Sequence, residues 1–249
     1  MIALGARGVR AVLLDIEGTT TPIAFVHDVL FPFARAHLPE FVNDPRNSEA
    51  VRQVVVLLSK EHSADLAGGE RPPAWYGATL DEIRASIKTY AAWLMDRDRK
   101  SPGLKLLQGQ IWERGYRAGF LRGDVFPDVA PAIRRWRDGG LDVAIYSSGS
   151  VLAQRLLFES TPDGDLTRSL NGFFDTGVGA KTSIESYGHI AHALERQPGE
   201  VLFVSDVGAE LAAARAAGLQ TLLSLRPGNA PQPGACSFEA TRSFDEVGL

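Results

Sequence analysis

Residues 12–22 read VLLDIEGTTTP. A short apolar run leads into two acids, Asp15 and Glu17, and then breaks at Gly18, Thr19, Thr20, Thr21 and Pro22. A carboxylate removed from water without a partner is costly. A buried strand ending in two of them therefore implies that something else completes them. The same kind of run recurs: VRAVLL at 9–14, LDVAIY at 141–146, VLFV at 201–204 and QTLLSL at 220–225. These runs suit strands buried on both faces of a parallel sheet. After residue 125 they alternate with helical patterns that stop at Gly139–Gly140 and Gly218. Strand–helix alternation predicts an α/β fold with right-handed crossovers.

Residues 23–123 carry a different pattern. Leu80, Ile83, Ile87, Tyr90 and Leu94 step by three and four, as one face of a helix does. Thr79 and Glu82 form a capping-box pattern at its start. A further helix is expected near 103–120, interrupted by Gly109 and Gly115. The predicted organisation is an α/β core from residues 1–22 and 124–249, with a helical cap domain inserted at 23–123. LAGGERPPAW, 66–75, reads as a flexible linker. Thr20–Ile23 and the stretch near Gly123 are the expected core–cap crossings and natural hinges for a lid. RPGNAPQPGAC, 226–236, reads as a loop before a last short element, ATRSFDEV.

The chain has 249 residues, 22% of them charged, and a net charge of −4, which argues against nucleic acid as a partner. Arg134, Arg135 and Arg137 are expected on a solvated helix face. Cys236 is the single cysteine, so no intrachain disulfide forms and a reducing cytoplasm is expected. Ala11–Leu14 is too short for a signal peptide's apolar region. No run approaches the ~18 apolar residues of a membrane helix.

Three polar groups fall at predicted strand ends: Asp15, the pair Ser147–Ser148, and Asp206. In open α/β sheets, ligands bind outside the carboxyl ends of the strands. A carboxylate such as Asp15 can attack phosphorus and form an aspartyl-phosphate. Ser147, Ser148 and the N–H groups of the next helix can hold phosphoryl oxygens. Lys181, in GAKTSIESY, supplies a point charge to the same oxygens. Asp15, Glu17 and Asp206 are negative, and a phosphate monoester adds roughly −2 more. Like charges 4 Å apart repel by ~4 kcal/mol at an effective dielectric of 20. Such a site requires a divalent cation, and hard oxygen donors select Mg²⁺ over zinc. Glu17, two residues after Asp15, lies on the same side of an extended chain and can carry a proton to the leaving group. Thr19, Thr20 and Thr21 are assigned to the turn. Glu210 either braces the metal's water shell or is an exposed acid in a helix's first turn.

The motifs DIEGTT, YSSGS, GAKTSIESY and FVSDVGAE together resemble the haloacid dehalogenase superfamily. LQGQIWERGYRAGFLRGDVFPDV and IYSSGSVLAQRLLF narrow the resemblance to its enolase-phosphatase (acireductone synthase) family of methionine salvage, over about residues 12–227. The resemblance implies a Rossmann-like core with a helical cap. It implies Mg²⁺-dependent enolisation and dephosphorylation of 2,3-diketo-5-methylthiopentyl-1-phosphate to the acireductone, by a cytoplasmic monomer. Carried over, Asp15 is nucleophile and metal ligand, and Glu17 is the second acid and a metal ligand. Ser147, Ser148 and Lys181 bind the phosphate, and Asp206 holds the metal. The enolisation base is Glu17 or a cap residue. His27 and Tyr76 qualify by chemistry, although packing or surface roles are commoner, as they are for Trp75 and Trp112. The alternatives are a phosphatase for another small ester, or a phosphoacceptor receiver. The roughly 100 inserted helical residues weigh against a receiver, because a receiver does not enclose a small substrate.

Overall fold

The computed structural model describes residues 1–99, 101–231 and 237–249, so Cys236 and part of the expected Pro/Gly loop lie outside the described residues. The chain divides into two compact units: Met1–His27 with Arg122–Leu249, and Asp28–Leu121.

The first unit is built on a six-stranded, all-parallel sheet. Its strands are β2 (Ala11–Leu14), β3 (Asp142–Tyr146), β4 (Gly172–Phe174), β5 (Val201–Ser205), β6 (Gln220–Ser224) and β7 (Ala240–Thr241). A separate two-stranded pair joins β1 (Ile2–Ala3) to β8 (Val247–Gly248). The order across the large sheet is β4-β3-β2-β5-β6-β7. Every residue of β2 is buried, as is every residue of β5, which is why these runs read as continuously apolar rather than alternating. Alternate positions still face opposite ways. Ala11, Leu13, Ala144, Tyr146, Val201 and Phe203 share one core cluster with Tyr187 and Ile190 of α7 (Ile184–Ala193) and Leu211 of α8 (Gly208–Ala216).

The sequence pattern does not reveal β4, a strand of three residues, and gives β7 only as the start of the last short element, without its type. It also set β2 two residues too early: Val9 and Arg10 precede the ladder. The arginines of α5 (Val129–Asp138) differ from expectation: Arg134 is exposed yet donates to the Asp163 carbonyl (2.8 Å), and the other two are half-buried. Arg135 donates to the carbonyl of Phe244 (2.8 Å), and Arg137 to that of Leu141 (2.9 Å). Both tie the helix to neighbouring loops.

The second unit holds α1 (Phe31–Asn43), α2 (Ser48–Ala67), α3 (Leu80–Met95) and α4 (Pro102–Arg117). The capping box forms as expected: the Glu82 N–H donates to Thr79 Oγ1 (3.2 Å), and Glu82 accepts from the Thr79 N–H (3.0 Å). The buried face of α3 is Ile87, Tyr90, Ala91 and Leu94, whereas Leu80 is exposed. Its first turn thus belongs to the cap rather than to the core stripe. Gly115 does not interrupt α4; a Cβ there would lie 2.6 Å from the ring of Phe33, so the glycine admits that ring. The expected flexible linker after α2 has no regular structure but is tied down. His62 Nε2 bonds the Pro73 carbonyl (2.8 Å), and the Tyr76 N–H donates to Ser86 (2.8 Å). Trp75 lies against His62 and Tyr90, and Trp112 donates to the Leu30 carbonyl, so both tryptophans pack.

Candidate active site at the carboxyl ends of the strands

All pairings in the large sheet are parallel, so the carboxyl ends share one edge. From β2 the chain builds outward through β3 and β4, then crosses to β5 on the other side of β2 and continues to β7. The order therefore reverses between β2 and β5, and such a switch point is where a crevice opens. Register pairs Leu14 with Ile145 on one side and with Val204 on the other. Asp15, Ser147 and Asp206 thus leave three adjacent strand tips, as the sequence pattern anticipated.

Asp15 is held in the ladder: its N–H donates to the Val204 carbonyl (3.0 Å). Its Oδ1 accepts from the Ile16 N–H (2.8 Å) and from Lys181 Nζ (2.5 Å). Lys181 also pairs with Glu210 Oε2 (2.7 Å). The lysine arrives on the loop before α7, which two tyrosines hold. Tyr187 donates to the Lys181 carbonyl (2.6 Å), and Tyr146 donates to that of Gly179 (3.0 Å). Neither tyrosine was foreseen; a phenol inside an apolar run is the available signal, since a buried hydroxyl needs a partner.

Ser205 links the acids. Its hydroxyl lies 3.3 Å from Asp15 Oδ2 and 2.9 Å from Glu210 Oε2, and it accepts from the Val207 N–H (3.1 Å). Glu210 is thus not the exposed helix-turn acid that one reading allowed, since only 13% of its side chain is exposed. On Ser147, the hydroxyl accepts from the Gly149 N–H (3.2 Å). Ser148 is half-buried beside it. Ser150 caps α6 (Val151–Glu159), directing the helix N-terminus toward the same loop. Asp175, just past β4, accepts from the Val151 N–H (3.3 Å) and was missed.

Glu17 sits in the tight loop after β2 and forms an isolated bridge with Thr21. Thr19, Thr20 and Thr21 are fully buried, and Thr20 donates to the Asp15 carbonyl (3.1 Å). Gly18 has φ +67, and a Cβ there would fall 2.5 Å from Asp206 Oδ2. Only glycine lets the loop lie this close to the second aspartate. Of the residues considered for proton abstraction, His27 and Tyr76 are both exposed. Gly123, an expected crossing, is anchored within the α/β unit by donating to the Ser160 carbonyl (3.0 Å).

The electrostatics are lopsided. Burial and the charge of Asp15 push Asp206 up to about 7. Burial, then Asp15, also push Glu210 upward. Burial alone would lower Lys181, but Asp15 and Glu210 outweigh it and hold the ammonium protonated. The two partners pull in different directions; the 2.7 Å contact and the Ser205 hydroxyl favour an ionised Glu210 beside a charged lysine. Asp15 and Glu210 then share one lysine, with Asp206 buried beside them. Among the described residues, no three His, Cys, Asp or Glu groups close into a metal cage. Mg²⁺ does not need one, because it is commonly held by one or two carboxylates plus substrate phosphate. An all-oxygen donor set with excess negative charge fits that ion.

Residues 9–218 match the family model described as haloacid dehalogenase-like hydrolase. Enolase-phosphatase E1 of Synechococcus elongatus is 48% identical over 96% of this chain and 98% of its own length. The chain belongs to the enolase-phosphatase family of haloacid dehalogenase-like hydrolases. Enolase-phosphatase E1 of Drosophila mojavensis is 44% identical over 99% of this chain and 95% of its own. The crystal structure of the UTR4 protein from Saccharomyces cerevisiae is similar with a TM-score of 0.75, at 33% identity, covering 96% of this chain and 100% of that one. The family is one of hydrolases, so the chain is an enzyme, and its parallel sheet is the Rossmann-like core of that family.

Proposed function

We propose that this enzyme converts 2,3-diketo-5-methylthiopentyl-1-phosphate to the acireductone and phosphate, as a cytoplasmic monomer of methionine salvage. The observation that carries the reading is the buried cluster of Asp15, Lys181 and Glu210 beside Asp206 at the switch point of the sheet. Asp15 is the nucleophile: its in-ladder backbone fixes the carboxylate, and Lys181 pairs with its Oδ1. Lys181, Ser147 and Ser148, with the N–H groups before α6, receive the phosphoryl oxygens. Glu17 gives a proton to the departing oxygen and then takes one from the water that cleaves the aspartyl-phosphate. Asp15, Glu17 and Asp206 would hold Mg²⁺, which supplies charge neutralisation for two anions brought together. Glu210 keeps Lys181 oriented through their ion pair. The helical insertion, residues 23–123, serves as the cap and selects the substrate.

Acireductone formation, followed by ultraviolet absorbance alongside phosphate release, tests the reading. Both signals from the diketone, abolished by chelator and restored by Mg²⁺, are expected. Phosphate release from other esters without acireductone would point to a different substrate. Full activity in chelator would overturn the charge argument.

A further inference from the structure

The loop Ile16–Thr21 is folded on itself. The Ile16 carbonyl takes the N–H groups of Thr19, Thr20 and Thr21 at 3.2, 3.0 and 2.9 Å, and the Gly18 N–H donates to the Thr21 carbonyl (2.9 Å). This leaves the carbonyls of Gly18, Thr19 and Thr20 pointing outward, buried and in need of donors. Each finds one from elsewhere in the α/β unit. Gly18 accepts from Ser224 Oγ (3.0 Å) and Asn229 Nδ2 (2.9 Å). Thr19 accepts from Arg226 Nε (3.1 Å), and Thr20 from the Phe126 N–H (2.9 Å).

Arg226 is the unusual member. Its side chain is 4% exposed, and its guanidinium lies 4.6 Å from the ring centres of both Phe126 and Phe244. Nη1 pairs with Asp128 Oδ2 (2.7 Å) and donates to the Arg242 carbonyl (3.1 Å). Asp128 is in turn fixed by Ser243 Oγ (3.0 Å) and the Phe244 N–H. A buried ion pair adds little stability over well-packed apolar groups. A rigid planar fork, however, sets direction as well as attraction.

We infer that Ser224, Arg226 and Asn229 form a buckle that sets the position of Glu17, with Arg226 as its principal positioning residue. Asp15 has anchors of its own, the β2 ladder and Lys181, and meets the loop beyond Ile16 through the Thr20 hydroxyl on its carbonyl (3.1 Å), which Ser224, Arg226 and Asn229 do not touch. Loosening the buckle therefore displaces the proton carrier and spares the nucleophile. The inference rests on the proposed reading of Glu17.

The test compares kcat/KM on two esters, an alkyl phosphate and p-nitrophenyl phosphate. The first leaving group needs a proton as it departs, and the second, an acidic phenol, does not. Glu17→Gln is the reference. For Arg226→Met, kcat/KM on the alkyl ester should fall by about tenfold or more, with the aryl ester changed by less than about threefold, as expected for lost general-acid catalysis. Asn229→Ala and Ser224→Ala should show the same split to a smaller degree, and they serve if the arginine variant fails to fold. Equal loss on both esters in all folded variants, with the split present in Glu17→Gln, overturns the inference alone. Absence of the split in Glu17→Gln overturns both the inference and the reading of Glu17.

Discussion

In the helical unit, the buried carboxylate of Asp65 has two donors, the Tyr90 hydroxyl and Arg99 Nη2, each at 2.6 Å. Glu61 there accepts from the Ser101 hydroxyl and from the Gly103 N–H (2.8 Å). At the strand tips of the α/β unit, Asp15 and Glu210 share one lysine, and Asp206 lies next to them with burial working against its charge. The first arrangement is saturated: every acid meets its donors within the protein, and nothing further is required. The second is short of positive charge. Burial is similar in the two places, so burial alone does not mark a functional acid. The mismatch between acids and donors does.

The contrast breaks most visibly at Asp15. Asp15→Asn is expected to reduce turnover by roughly 10³-fold or more while the protein stays folded, as loss of a nucleophile does. Activity within tenfold of wild type, measured on the natural diketone, would contradict its role. At Asp65 the order is reversed. Asp65→Ala strands the Tyr90 hydroxyl and should destabilise the fold by about 1–3 kcal/mol in denaturant melts. An unchanged unfolding midpoint would show that the helical acid is not structural.

Asp206 sharpens the comparison because its neutralisation should help the fold. Without metal, Asp206→Asn is expected to raise stability by about 1–3 kcal/mol, because a rise from 3.8 to about 7 is worth at most ~4 kcal/mol and partial exposure screens part of it, while catalysis falls. A lowered melting temperature in chelator would remove the claim. The pH dependence has a definite sign. The folded pKa of Asp206 lies above its unfolded value, so the folded state binds the extra proton. Metal-free stability should therefore decline as pH rises from about 4 toward 7, and Asp206→Asn should flatten that decline. The smallest effect belongs to Asp44 in the helical unit. Hydrogen bonds from the Arg46 side chain and backbone N–H, the side chain's the stronger, lower it to about 2. Its contribution is present above the ordinary carboxylate range and is lost as pH falls through about 2. Acid titration of Asp44→Asn should end slightly earlier than that of wild type; because the arginine of the pair is exposed, a large difference would be inconsistent with solvent screening.

Much of this was readable in one dimension. Continuous apolar runs marked β2, β3, β5 and β6, because strands covered on both faces need no polar alternation. Thr79 and Glu82 announced the start of α3 because a capping box is a local bond pattern. The order of the strand-end residues Asp15, Ser147 and Asp206 was equally plain. What escaped notice was short or distant. Two- and three-residue strands such as β7 and β4 carry no period to detect. Ser205 looks like an ordinary neighbour of Asp206 in sequence, and Glu210 is open to two readings there; burial and the Lys181 contact decide against the exposed one. Arg226, Ser224 and Asn229 carry no local sign that they serve a loop more than two hundred residues earlier.

The sequence by itself determined the elements, the acids placed where strands stop, and the excess of negative charge among them, since these follow from nearest-neighbour pattern and composition. The tertiary structure decided which of those groups meet. Lys181 reaches Asp15 across 166 residues only because the parallel sheet sets its strand tips side by side. The physical reason is that pattern acts over a few residues. The cost of burying a charge is decided by whatever the whole fold brings within about 3 Å of it.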